Sequence, residues 1–308
     1  MDSRCISNGS HRCETFSCPE VENCEVKGRK LLKHFLFAIG VHEFFWIETW
    51  RSAITELVST ACLLFSLTIS VTGCMELHIG EPKLLLPILV FGIVFLFVLV
   101  TIPLTGAHMN PTFSLMAALK GIVTPVRALV YVVAQCLGSL MAAIVVKSMM
   151  QSSTVERHSL NGCLVDRNGE GVNTGIALGI EFSSTFFVLF LILTVAYDQK
   201  RFKELGLPMM CVLMSGVFAL VVFMSSAVTL GRAGYGGAGL NPARCLGPAL
   251  VLGGSLWDGH WVFWVGPFLA CMVFYCFTMT LPRGVMKADE EQGIQESGLV
   301  SGLSLPIT

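Results

Sequence analysis

The chain has 308 residues, 54% of them hydrophobic and 13% charged, with a formal net charge of −1. A soluble domain carries about 25% charged residues, so most of this chain cannot face water. The near-neutral balance excludes a nucleic-acid partner, which would demand clustered positive charge.

Taken in chain order, the first thirty residues are polar throughout and hold no apolar signal core, so no cleaved signal peptide is expected. Four of the 12 cysteines (Cys5, Cys13, Cys18 and Cys24) fall there. They form no CxxC pair and have only His11 nearby, which reads as a flexible tail and not as a zinc site. The aromatic stretch 31–50 is interrupted by Lys33, His34, His42, Glu43 and Glu48, the pattern of an interfacial helix. A helix needs about 20 apolar residues to cross a hydrocarbon core of about 30 Å. Six segments qualify, near 52–73, 84–105, 126–147, 175–197, 208–229 and 260–281. With both termini on one side, that side collects fourteen Lys and Arg against five on the other, Arg244 set aside. This asymmetry predicts cytoplasmic termini. The chain divides into a tail and interfacial helix (1–50), a first repeat (51–147), an external loop (148–173), a second repeat (174–282) and a solvated C-terminal tail (283–308).

The two halves echo each other. Glu56-x-x-x-Thr60 opens the first span and Glu181-x-x-x-Thr185 the fourth, while TGAHMNPT follows the second span and GAGLNPAR the fifth. Three spans per half is an odd number, so the halves must insert with opposite topology. Asn110-Pro111-Thr112 and Asn241-Pro242-Ala243 each join a capping residue to a proline suited to a first helical turn. Residues 110–119 and 241–250 can each form a helix of about 15 Å, half a membrane. Entering from opposite faces, the two would meet at the midplane with both positive ends pointing inward, opposing cation passage. The irregular segments leading into them, Thr105–His108 and Gly231–Gly239, would line a polar path with carbonyls, since such backbone survives at membrane depth only where its polar groups are satisfied. The predicted fold is an all-α membrane protein with six transmembrane helices and two half-membrane helices in an inverted repeat. No nucleophile–base pair, metal-ligand cluster or cofactor motif stands out, and no enzyme activity is expected.

GAHMNP, YVVAQCLGS (131–139), GLNPAR (239–244) and WVFWVGP (261–267), spread over about 51–282, resemble the aquaporins, or major intrinsic proteins. Cys245 directly after Arg244, Thr112 in place of the usual Ala, and Cys163 in the loop after span three are most similar to the plant X-intrinsic proteins. The resemblance implies a homotetramer of independently conducting pores in a plant membrane, surrounded by lipid and passing small neutral solutes such as glycerol, urea, boric acid or hydrogen peroxide. It places Asn110, Pro111, Thr112, Asn241, Pro242 and Ala243 at the pore centre and Arg244 at the narrowest point. It makes Glu56 and Glu181 braces of the half-helices, the alternative being a proton relay. His108 reads as a packed, hydrogen-bonded imidazole, with a pH switch as the alternative. Counting from the motifs puts Ala238 and Val90 (or Phe91) at the constriction; the fifth-span residue is Ala219 or Val222, depending on the direction of counting. The Phe-and-His pair of strict water channels is absent, whereas Phe263-Trp264 resembles the water-selective branch. The Thr112 hydroxyl is expected to bond back to a helix carbonyl. Cys163 and Cys74 both fall on the outer side, where Cys163 pairs with Cys74, pairs between subunits or stays free; Cys163 and Cys245 are candidate redox- or mercurial-sensitive positions. The expected function is a passive channel with modest water permeability. The alternatives are a mainly water-selective channel, a proton-coupled carrier using Glu56 and Glu181, and a non-conducting junction protein.

Overall fold

The computed structural model describes residues 33–76, 82–166, 171–196, 199–228 and 235–280. The four N-terminal cysteines and the C-terminal tail lie outside the described residues. Among the described residues the regular structure is entirely helical: α1 (Ile47–Glu76), α2 (Pro82–Thr105), α3 (Pro111–Leu119), α4 (Pro125–Met149), α5 (Ser152–His158), α6 (Thr174–Ala196), α7 (Gln199–Val228), α8 (Pro242–Leu252) and α9 (Val262–Thr280). Six helical segments within α1, α2, α4, α6, α7 and the α9 region are long and apolar enough to cross a bilayer. Their outward faces carry Ile54, Val58, Ile88, Leu96, Val133 and Met141, all exposed. Such a girdle is stable only against lipid, because water would not tolerate it. The chain is an integral membrane protein.

Local chemistry explains the helix ends. Asn110 and Asn241 cap α3 and α8, Thr124 caps α4, and each cap is followed by proline in the first turn. That pairing satisfies an orphan N–H and supplies a pre-set φ. The 208–229 span begins earlier than its hydropathy suggests: α7 starts at Gln199 and breaks at Gly206, whose φ of 71° lets the chain turn just before Pro208. Residues 33–38 are helical and lead through a 3-10 turn, Val41–Phe45, into α1. This segment docks on the start of α4, where the Val126 N–H donates to the Ile39 carbonyl at 3.1 Å and the Thr124 hydroxyl to Glu43 at 3.1 Å.

The inverted repeat is visible in the packing. α1 lies on α4 as α6 lies on α9, and α2 meets α7 across the middle. Each half-helix packs on the third span of the other half, α8 on α4 and α3 on α9. Two glycines permit the equivalent close approaches. A Cβ on Gly138 would stand 2.4 Å from the Leu57 carbonyl oxygen of α1, and one on Gly266 would stand 2.7 Å from Glu181 Cβ of α6. Small residues at helix crossings let backbones approach where no water-driven force separates helix from lipid.

Candidate functional site

Just before each half-helix the chain passes through a backbone conformation that ordinary residues avoid. Met109 has φ 44° and Leu240 φ 60°, both left-handed and each directly preceding the capping asparagine. The two buried glutamates hold these turns. Glu56 accepts the His108 and Met109 N–H groups at 3.2 and 2.6 Å, the Thr105 hydroxyl, and the Gln135 amide at 2.8 Å. Glu181 accepts the Gly239 and Leu240 N–H groups at 2.6 and 3.1 Å and the Tyr235 hydroxyl at 2.9 Å. Both carboxylates are 0% exposed. In a trans peptide the carbonyl opposes the N–H, so drawing the N–H groups toward a carboxylate turns carbonyls the other way.

That other side is a cavity of about 720 Å³ running along the middle of the bundle. Asn110 and Asn241 both line it. Each asparagine uses its side-chain oxygen as a helix cap, Asn110 accepting from the Thr112 N–H at 2.9 Å and Asn241 from the Ala243 and Arg244 N–H groups at 3.1 and 3.3 Å. Each then donates one side-chain N–H to the opposite half, Asn110 to the Leu240 carbonyl at 3.0 Å and Asn241 to the Met109 carbonyl at 2.9 Å. A primary amide has two N–H bonds, so one donor per asparagine remains for an oxygen in the cavity.

The candidate constriction residues separate cleanly in space. Val90, Val222, Ala238 and Arg244 line the central cavity; Phe91 and Ala219 line a different, wholly apolar hollow beside Pro87 and Phe223. The Arg244 guanidinium reaches the turn after α5, donating to the Asn161 carbonyl at 3.4 Å and toward Cys163 Sγ at 3.3 Å. Cys163 is disulfide-bonded to Cys245, with Cα atoms 5.0 Å apart. Cys74 is buried as a free thiol, which removes its pairing with Cys163. His108 lines the cavity with its ring edge-on to Tyr131 (centroids 5.4 Å apart) and Nδ1 3.1 Å from the Ser114 hydroxyl.

Pro111, Pro242 and Ala243 serve the first helical turns and face away from the cavity lining. So does Thr112, which is 1% exposed and whose carbonyl accepts from the Cys271 thiol of α9 at 3.4 Å. Its hydroxyl makes no hydrogen bond, in contrast to the back-bonded hydroxyl expected from sequence. Thr112→Ala therefore removes one buried methyl and one unpaired buried hydroxyl together, effects of opposite sign and about 1 kcal/mol each. Thermal unfolding of the purified variant should stay close to wild type, and its ratio of solute to water flux should not change.

Sequence reasoning passed over three contributors. Gln135 ties Glu56 to Ser114, Tyr235 completes the shell of Glu181, and Asn161 offers Arg244 an acceptor. An amide inside an apolar span was a signal for Gln135; nothing local marked Asn161. Among the described residues there is no cluster of His, Cys, Asp and Glu able to hold a metal.

Comparison with known proteins converges with this geometry. The profile of the major intrinsic protein family matches residues 43–275. A probable aquaporin PIP2-6 of Oryza sativa subsp. japonica is 31% identical over 72% of this chain and 78% of its own length. A PIP-type aquaporin of Atriplex canescens is 31% identical over 72% and 77%. The aquaglyceroporin from Plasmodium falciparum shares the fold, with a TM-score of 0.61 at 22% identity over 76% of this chain and 96% of its own. With the family profile spanning most of the chain, and the two capped half-helices in the arrangement just described, the chain belongs to the major intrinsic protein family.

Proposed function

We propose that the protein is a passive channel for small uncharged solutes, of the glycerol, urea, boric acid and hydrogen peroxide class, with modest water permeability. The observation that carries this reading is the central cavity lined by Asn110, Asn241, Val90, Val222, Ala238 and Arg244. Two spare amide N–H donors at the meeting of the half-helices suit a permeant oxygen, and the converging positive helix ends oppose cations. At the constriction three aliphatic side chains face one guanidinium. Such a surface shelters a solute's carbon face while the Arg244 donors hold its oxygen; water has no carbon face and gains less. Glu56 and Glu181 act as braces in this reading, because each is saturated with donors from a pore loop. A carrier that used Glu56 or Glu181 would need them on the path, and neither lines the cavity.

The subfamily reading is the X-intrinsic group of plant aquaporins, supported by Cys245 after Arg244 and by Thr112 in the first motif. A homotetramer in the plasma membrane with both termini cytoplasmic is consistent with it and with the distribution of Lys and Arg. A mainly water-selective channel is the second reading, favoured by the likeness to proteins named as aquaporins.

Ala238→Phe tests the constriction. Swelling of proteoliposomes in glycerol and urea should fall by about tenfold or more while water and hydrogen peroxide flux falls far less, since a ring excludes by cross-section first. An unchanged solute profile would remove Ala238 from the narrowest point.

A further inference from the structure

The guanidinium at the constriction is held by something other than its own helix. Both of its hydrogen bonds among the described residues go to one short turn, through the Asn161 carbonyl and Cys163 Sγ. That turn is not self-supporting. Ser159, Leu160 and Asn161 are three successive non-glycine residues with φ of 50°, 52° and 52°. A left-handed run of this kind costs about 1–2 kcal/mol per residue and persists only where its surroundings impose it.

Two sets of contacts impose it. On one side the Asn161 amide donates to the Thr68 carbonyl and the Thr72 hydroxyl of α1, both at 3.0 Å, and Leu160 is 1% exposed. On the other side Cys163 is bonded to Cys245, the residue next to Arg244 on α8. The disulfide thus fixes the acceptor turn to the backbone that carries the donor. It also lies directly against the pore loop: a Cβ on Gly239 would stand 2.7 Å from Cys245 Sγ and 3.1 Å from Cys163 Sγ. Gly239 is the residue whose N–H Glu181 holds, immediately after the constriction residue Ala238.

We infer that the Cys163–Cys245 disulfide is a strap that sets where the Arg244 guanidinium stands in the cavity, so that the solute profile of the channel depends on whether the strap is closed. The inference rests on the reading of the cavity as the conducting path. Cys163, Cys245 and Asn161 are positioning residues, acting on permeants through Arg244. A dithiol opens the strap by exchange: its thiolate attacks one sulfur and the Cys163–Cys245 bond breaks. The second thiol of the reagent then closes a cyclic disulfide, leaving two protein thiols; the reagent is oxidised by two electrons and the protein reduced by two. With the strap open the left-handed turn relaxes, Arg244 loses both acceptors, and the constriction widens.

The experiment uses the full chain in proteoliposomes in four states: untreated, reduced with dithiothreitol, reduced and re-oxidised, and as the Cys163→Ser/Cys245→Ser double variant. Mass-tagging with a maleimide counts free thiols in each. Glycerol and water fluxes are measured on the same vesicles, because loss of folded channels lowers both in proportion whereas movement of Arg244 changes their ratio. The glycerol-to-water ratio should rise about fivefold on reduction, the scale of losing one ordinary hydrogen bond. It should return on re-oxidation, match the reduced value in the double variant, and ignore dithiothreitol there. A second readout needs no flux: modification of Arg244 by phenylglyoxal, mapped by peptide mass spectrometry, should speed up on reduction. An untreated protein with both cysteines free overturns the strap. So does a reduced protein with unchanged Arg244 reactivity, or a conducting one whose flux ratio stays unchanged although Arg244 reactivity rises. If untreated protein passes no solute above empty vesicles while Arg244 reactivity still responds to reduction, the channel reading fails and the strap stands.

Discussion

Glu181→Leu should yield almost no folded, monodisperse protein. The substitution strands the Gly239 and Leu240 N–H groups and the Tyr235 hydroxyl, three donors that share one fully buried carboxylate. Leaving each unpaired costs about 1–3 kcal/mol. The sum is comparable to the whole stability of an ordinary domain, about 5–15 kcal/mol. Glu56→Leu should behave alike, since four donors converge on that carboxylate. Size-exclusion chromatography and thermal unfolding of the detergent-solubilised variants are the measurements. Glu181→Gln keeps an oxygen acceptor and should fall between wild type and Leu in stability while retaining pH-independent solute flux. A Glu181→Leu protein that unfolds like wild type would end the bracing role. A Gln variant that folds normally yet loses a pH-driven flux would restore the carrier reading.

The second large effect is electrostatic. Arg244→Val removes a fixed cation from the central cavity that Val90, Val222 and Ala238 also line. Two unit charges 4 Å apart repel by about 1 kcal/mol in water and about 4 kcal/mol at the effective dielectric of a protein surface. Proton or monovalent cation leak should therefore rise by between about fivefold and about a thousandfold. Neutral-solute flux should be retained or increased. A pH-sensitive dye trapped in proteoliposomes reads the leak directly. An unchanged leak would assign cation exclusion to the half-helix ends alone.

Much of this was legible in the sequence because its signals are local. Continuous apolar runs mark spans wherever they fall, and Asn-Pro at a helix start carries both the cap and the fixed φ in adjacent residues. Opposed insertion followed from counting three spans per half. What escaped notice depends on distance in the chain or on rotation about a helix axis. Val222 and Ala219 are three residues apart on α7, and only one of them faces the central cavity. Counting from Pro208 lands on Ala219, about one helical turn before the cavity-lining Val222. The Cys163–Cys245 bond joins positions 82 residues apart through a turn whose left-handed residues carry no glycine signature. The Thr112 hydroxyl lacks the carbonyl partner expected of it, because the packing of α3, and not its place in the motif, decides what surrounds it.

The exchange of hydrogen bonds between Asn110 and Leu240 also has a temporal side. The acceptor for Asn110 lies 130 residues downstream of it. At a ribosomal rate of about 5–20 residues per second, the first half-helix waits roughly 7 to 26 s for its partner carbonyl to be made. During that interval Asn110 and the turn at Met109 sit in or near the bilayer with an unfinished set of contacts, and neither half can complete its own interior. A nascent chain stalled between Asn110 and Leu240 should therefore be an open substrate for membrane quality control, and the protease-resistant form should emerge only after the last loop has been threaded.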